Sequence, residues 1–117
     1  ALVRSGLPLE YLEAETADEA RSFLFGASLQ APTLIILDLN LGQERGTMLI
    51  KELRAHPSLK ETPVLVLSTS ALESDMEESY NVGANCYITK ATDASLFREQ
   101  VENSVRFFLR QIGFLEY

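Results

Sequence analysis

A chain of 117 residues is enough for one domain with a single core that needs no disulfide or metal as a staple. With 46% hydrophobic and 23% charged residues it has the balance of an ordinary globular protein, which excludes a disordered tail. The formal charge of −7 without a basic stripe argues against direct nucleic-acid binding, and no apolar run approaches the roughly 20 residues that span a bilayer, so the cytoplasm is the expected compartment.

In chain order, Ala1 to Gly6 reads as the end of a helix, and Tyr11-Leu12-Glu13-Ala14 is a weak strand candidate. Thr16-Ala17-Asp18-Glu19 has the capping-box pattern and opens a helix with Ala20, Phe23 and Leu24 on one face, ending near Gly26. Leu34-Ile35-Ile36-Leu37 is a short, continuous apolar run, as expected of a strand covered on both faces of a parallel sheet. After Gly46, the stripe Leu49, Ile50, Leu53 predicts a helix that Pro57 stops. Val64-Leu65-Val66-Leu67 predicts a second central strand. Leu72, Met76 and Tyr80 then recur at intervals of four, which predicts a helix with that stripe turned to the sheet. The turn-like Gly83-Ala84-Asn85 precedes a strand at Cys86-Tyr87-Ile88. The last helix should begin at Thr92 or Asp93 and carry Phe97, Val101, Val105, Phe108 and Ile112 on its buried face.

Strands that alternate with single helices argue for one domain over residues 1–117, an α/β fold with a doubly wound parallel sheet. Ligands of such sheets bind at the rim formed by the carboxyl ends of the strands. Asp38 and Ser68 directly follow two of the apolar runs, and Lys90 comes two residues after the third. A carboxylate, a hydroxyl and an ammonium sharing one rim can accept a phosphoryl group. The carboxylate attacks phosphorus while the other two bind the phosphoryl oxygens.

Each of these residues also has a plainer reading. Asp38 could cap a turn, Ser68 could merely cap the following loop, since Ser68-Thr69-Ser70 offers three hydroxyls of which Thr69 is the chief competitor for its role, and Lys90 could be a solvated charge. Tyr87 could be a half-buried strand aromatic, Cys86 a core residue, and His56 a complement to a helix dipole.

Taken together the residues resemble the response-regulator receiver domains, a flavodoxin-like family, over essentially the whole chain. Asp38 to Ser68 is 30 residues and Ser68 to Lys90 is 22, and the family's acceptor Asp, Ser/Thr and Lys follow one another at about those intervals. Asn40 matches the position whose backbone carbonyl binds Mg²⁺, Gly46 the glycine that opens the next helix, and Tyr87 the aromatic switch. Leu37-Asp38-Leu39-Asn40-Leu41 and Asn85-Cys86-Tyr87-Ile88-Thr89-Lys90 resemble most the small regulators that partner phytochrome-type histidine kinases.

The resemblance implies a switch rather than an enzyme. A sensor histidine kinase or a small phosphodonor phosphorylates Asp38 with Mg²⁺ as cofactor, Ser68 and Tyr87 respond, and a downstream protein reads the face that changes. Phe107-Phe108 and the terminal Phe114-Leu115-Glu116-Tyr117 carry more apolar surface than one helix face needs, which suits either a second copy meeting the 72–112 region or packing of the tail against its own domain. The family's first strand, with its acidic pair, falls before Ala1, so a longer chain or another chain supplies it or the sheet is rebuilt, and with these residues alone Mg²⁺ would be weakly held by Asp38 and the Asn40 carbonyl. Ala91 and Gly42 stand where the family often has proline. Two other functions fit part of the pattern: a receiver-like interaction module that ignores phosphate, and a flavodoxin-like flavin binder.

Overall fold

The computed structural model describes residues 16–26, 32–41 and 44–111. The elements are α1 (Ala17–Leu24), β1 (Ile35–Asp38), β2 (Asn40–Leu41), β3 (Glu44–Arg45), α2 (Gly46–Ala55), β4 (Val64–Ser68), α3 (Glu73–Asn81), β5 (Cys86–Thr89) and α4 (Ala94–Gln111). Among the described residues the main sheet is parallel, in the order β1-β4-β5. Ile35 lies beside Val64, Asp38 beside Leu67, and Ser68 beside Thr89. The strand candidate at Tyr11 to Ala14 lies outside the described residues.

The apolar runs form strands because successive side chains go to opposite faces and both faces are covered. Ile35, Leu37, Val64, Val66 and Tyr87 point into one core with Leu49, Ile50 and Leu53 of α2 and Ala17 and Leu24 of α1. Leu34, Ile36, Leu67 and Ile88 point into the other, against Val101, Val105 and Leu109 of α4. This is the doubly wound arrangement, and β4 at its centre is buried at every position.

The helix ends follow local chemistry. The Thr16 side chain accepts the Glu19 N–H at 3.1 Å, which satisfies a donor that the first turn leaves unpaired. The Asp93 carboxylate does the same for the Leu96 N–H at 2.9 Å ahead of α4. α2 ends where His56 turns extended, as a residue before proline must. At this end the His56 Nδ1 accepts the Ser58 N–H and its ring packs on Phe25.

Two predicted faces are corrected. On α3, Leu72 is 65% exposed and Tyr80 48%, with Met76 only half-buried, while Ser79 is wholly buried. The small side chain lies inward and lets the helix sit close to β5, where the Tyr80 hydroxyl accepts the outward N–H of Tyr87 at 3.1 Å. On α4 the third buried position is Leu109 rather than Phe108, which is half-buried; Ile112 lies outside the described residues. The β2–β3 hairpin between β1 and α2 has no counterpart among the expected elements.

Candidate functional site at the strand carboxyl ends

The three predicted side chains converge. Lys90 follows β5 and reaches across β4, so that its Nζ lies 2.6 Å from Asp38 Oδ2 at the end of β1. The Lys90 N–H donates to the Ser68 carbonyl at 2.7 Å, which fixes where the lysine leaves the sheet. Asp38 Oδ1 accepts the Asn40 N–H at 3.0 Å. The two side chains are 23% and 27% exposed, so the ion pair is partly withdrawn from water and stronger than a solvated one, yet open to a small ligand.

Gly46 explains how the chain turns so tightly beside the carboxylate. A Cβ there would lie 2.7 Å from the Asp38 carbonyl oxygen and 3.2 Å from Leu39 Cα. Without one, the Gly46 N–H donates to the Leu39 carbonyl at 2.6 Å and α2 starts directly against the site. That bond also sets the hairpin's alternation: Asn40 and Arg45 form the pair that exchanges no ladder bonds. The Asn40 carbonyl is therefore not consumed by β3.

Ser68 is wholly buried at the end of β4, and its Oγ accepts the Ser70 N–H at 3.1 Å. Thr69, the competing hydroxyl, is exposed. The Tyr87 hydroxyl donates to the Ser70 carbonyl at 2.9 Å, so the aromatic is held inward, half-buried against the α2-side core. Ser70 thus joins Ser68 to Tyr87 through its own peptide groups. Its hydroxyl further donates to Asp75 and accepts the Leu72 N–H. Sequence reasoning missed this role; a serine three residues ahead of a helix start is the one local signal for it.

Among the described residues no three His, Cys, Asp or Glu side chains cluster as a metal site, and the expected ligands there are the Asp38 carboxylate and the Asn40 carbonyl. Two hard oxygens with no nitrogen or sulfur suit Mg²⁺, which keeps most of its water and binds through few protein ligands. Cys86 takes no part: it is half-buried, and burial pushes its thiol pKa up. Gly42 lies outside the described residues. No helix among the described residues is long and apolar enough to cross a membrane.

Residues 1–102 match the response regulator receiver domain. Response regulator Rcp1 of Synechocystis is 38% identical over 81 residues, 69% of this chain and 55% of Rcp1, so the chain spans about half the length of that relative. The crystal structure of the phosphorylated cyanobacterial phytochrome response regulator RcpA superposes with a TM-score of 0.85 at 37% identity, covering 94% of this chain and 81% of that one. The Mn²⁺-bound form of Rcp1 superposes with a TM-score of 0.70 at 36% identity, covering 77% and 68%.

Proposed function

We propose, from the premise that this chain belongs to the response regulator receiver domain family of two-component systems, that Asp38 is its phosphoryl acceptor. The observation that carries this is the 2.6 Å approach of Lys90 Nζ to Asp38 Oδ2 at the strand carboxyl ends. An Asp38 carboxylate oxygen attacks phosphorus of a phosphohistidine or an acyl phosphate. The P–N or P–O bond to the donor breaks, and an aspartyl phosphate results. Lys90 stays beside the group and neutralises part of its charge, and the Ser68 hydroxyl, which already accepts from Ser70, turns its proton to a phosphoryl oxygen. That shift reaches Tyr87 through Ser70. Mg²⁺ would be held by the Asp38 carboxylate and the Asn40 carbonyl, and when bound it offsets the negative charge of the transferred group.

The likeness to the phytochrome response regulator RcpA supports a phytochrome-type sensor histidine kinase as the donor, and in this reading the exchange takes place in the cytoplasm. The reader of the switch is a protein that meets α3, β5 and α4. There Leu72, Tyr80, Leu96 and Phe107 are exposed, and a second copy meeting the 72–112 region is one such partner. Residues 1–117 act as one receiver unit in this reading.

Incubation of the protein with acetyl phosphate and Mg²⁺ tests the assignment by intact mass. The wild type gains one phosphoryl group, Asp38→Asn gains none, and Lys90→Met gains it about 10²-fold more slowly, as for loss of one charge-stabilising donor. Uptake by Asp38→Asn at the wild-type level would overturn it.

A further inference from the structure

The hairpin next to Asp38 is tied to helices on both sides. Glu44 accepts from Arg21 of α1, whose guanidinium also holds Glu52 of α2. On the other side, Arg45 Nη2 lies 3.2 Å from both Asp75 Oδ1 and Glu78 Oε2, on one face of α3. The Thr47 hydroxyl adds a 2.9 Å bond to Glu78 Oε1. Asp75 in turn accepts from the Ser70 hydroxyl, with 2.5 Å between the oxygens. Arg45 therefore joins the strip of backbone that holds Asp38 to the loop that holds Ser68 and Tyr87.

We propose that Arg45 is a coupling residue. Its ion pairs clasp the first two turns of α3 to the acceptor hairpin, and a phosphoryl group on Asp38 draws the guanidinium away and releases that end of the helix. This rests on the reading of Asp38 as acceptor. Three observations carry it. Arg45 stands opposite Asn40, whose N–H is bound to Asp38 Oδ1, so the arginine belongs to the backbone unit that phosphorylation disturbs first. Arg45 and Glu78 are 44% and 45% exposed, so their attraction is screened by water and belongs to the class of weak, exchangeable pairs. A phosphoryl group brings charge close to −2 and three strong acceptor oxygens, for which a guanidinium is the best-matched partner among side chains. The Thr47 bond remains as a hinge at Glu78, so release opens the N-terminal end of α3 rather than the whole helix.

Amide hydrogen exchange of the full chain, with and without acetyl phosphate and Mg²⁺, reads the clasp directly, with phosphoryl uptake followed by mass in the same samples. In the wild type, phosphorylation speeds exchange over residues 73–78 about threefold or more, as expected when an exposed ion-pair cluster opens. Arg45→Gln, compared with the wild type at matched phosphoryl occupancy, exchanges at the faster rate from the outset and gains nothing further. Arg45→Lys restores part of the phosphoryl-dependent difference. An Arg45→Gln protein that is phosphorylated and still shows the wild-type increase overturns the clasp while leaving the acceptor intact. A wild type that takes up no phosphoryl overturns the acceptor reading and the coupling with it.

Discussion

Gly83 sits at φ +115°, in the left-handed region that side-chain-bearing residues avoid, and a Cβ there would lie 2.8 Å from the Arg54 side chain. An arginine can usually swing aside; this one cannot. Its guanidinium donates to the carbonyls of Leu59, Lys60, Thr62 and Gly83 and to the Asn85 side chain. Burial without a carboxylate partner lowers its pKa, and the fixed fork closes the end of the sheet opposite the site. Gly83→Ala is therefore expected to lose about 1–3 kcal/mol of stability in urea unfolding, from backbone strain plus the displaced arginine, with phosphoryl uptake by Asp38 unchanged. A loss below the error of the urea midpoint would mean that Arg54 can yield. Nothing local in the sequence announces this arrangement, because five acceptors from two segments meet one side chain only after the fold has formed.

At the scale of elements, α3 is where periodicity and structure part. The interval of four among Leu72, Met76 and Tyr80 is real, but a stripe records which residues could share a face, not which face the neighbouring strand can accommodate. The close approach to β5 admits Ser79, whose Oγ is buried with no hydrogen-bond partner. Ser79→Ala is expected to raise stability by about 1 kcal/mol, since it removes an unpaired buried hydroxyl and adds helix propensity. Leu72→Ala should stay within about 0.5 kcal/mol of the wild type, whereas Leu53→Ala, wholly buried on α2, should cost about 2–5 kcal/mol. The start of α3 also titrates. The Ser70 hydroxyl and, after it, Arg45 hold the Asp75 carboxyl below the usual carboxylate range, against the opposing pull of burial. A folded pKa below the unfolded one stabilises the protein at pH values above the unfolded pKa of about 3.9, and that contribution disappears as pH falls through the lower folded value. Asp75→Asn should accordingly be less stable than the wild type at pH 7 by urea unfolding, and the gap should narrow as pH falls below the unfolded carboxylate range. A gap that persists in acid would assign the loss to packing.

At the scale of the whole molecule, the site was more legible than its supports because it depends on parallel-sheet geometry that the sequence carries openly. Three apolar runs long enough to cross a sheet deliver Asp38, Ser68 and Lys90 to the same rim whatever the loops do. Those loops, with the β2–β3 hairpin and its ion pairs to α1 and α3, depend on contacts between residues 23 to 33 positions apart and leave no periodic trace. The same sheet divides the interior into two cores, one closed by α1 and α2 and the other by α4. Ile50 and Leu109 are buried in different cores, on opposite sides of the strands. If the sheet acts as a rigid partition, truncations on its two sides should not sense one another. Ile50→Val should cost about 0.5–1.5 kcal/mol and Leu109→Ala about 2–5 kcal/mol. The double variant should lose their sum to within about 0.5 kcal/mol by urea unfolding. A larger departure would mean that strain in one core bends β1 and β4 enough to repack the other. The rim that carries Asp38 and Lys90 would then move with either core, and phosphoryl uptake by the double variant would fall below what either single variant predicts.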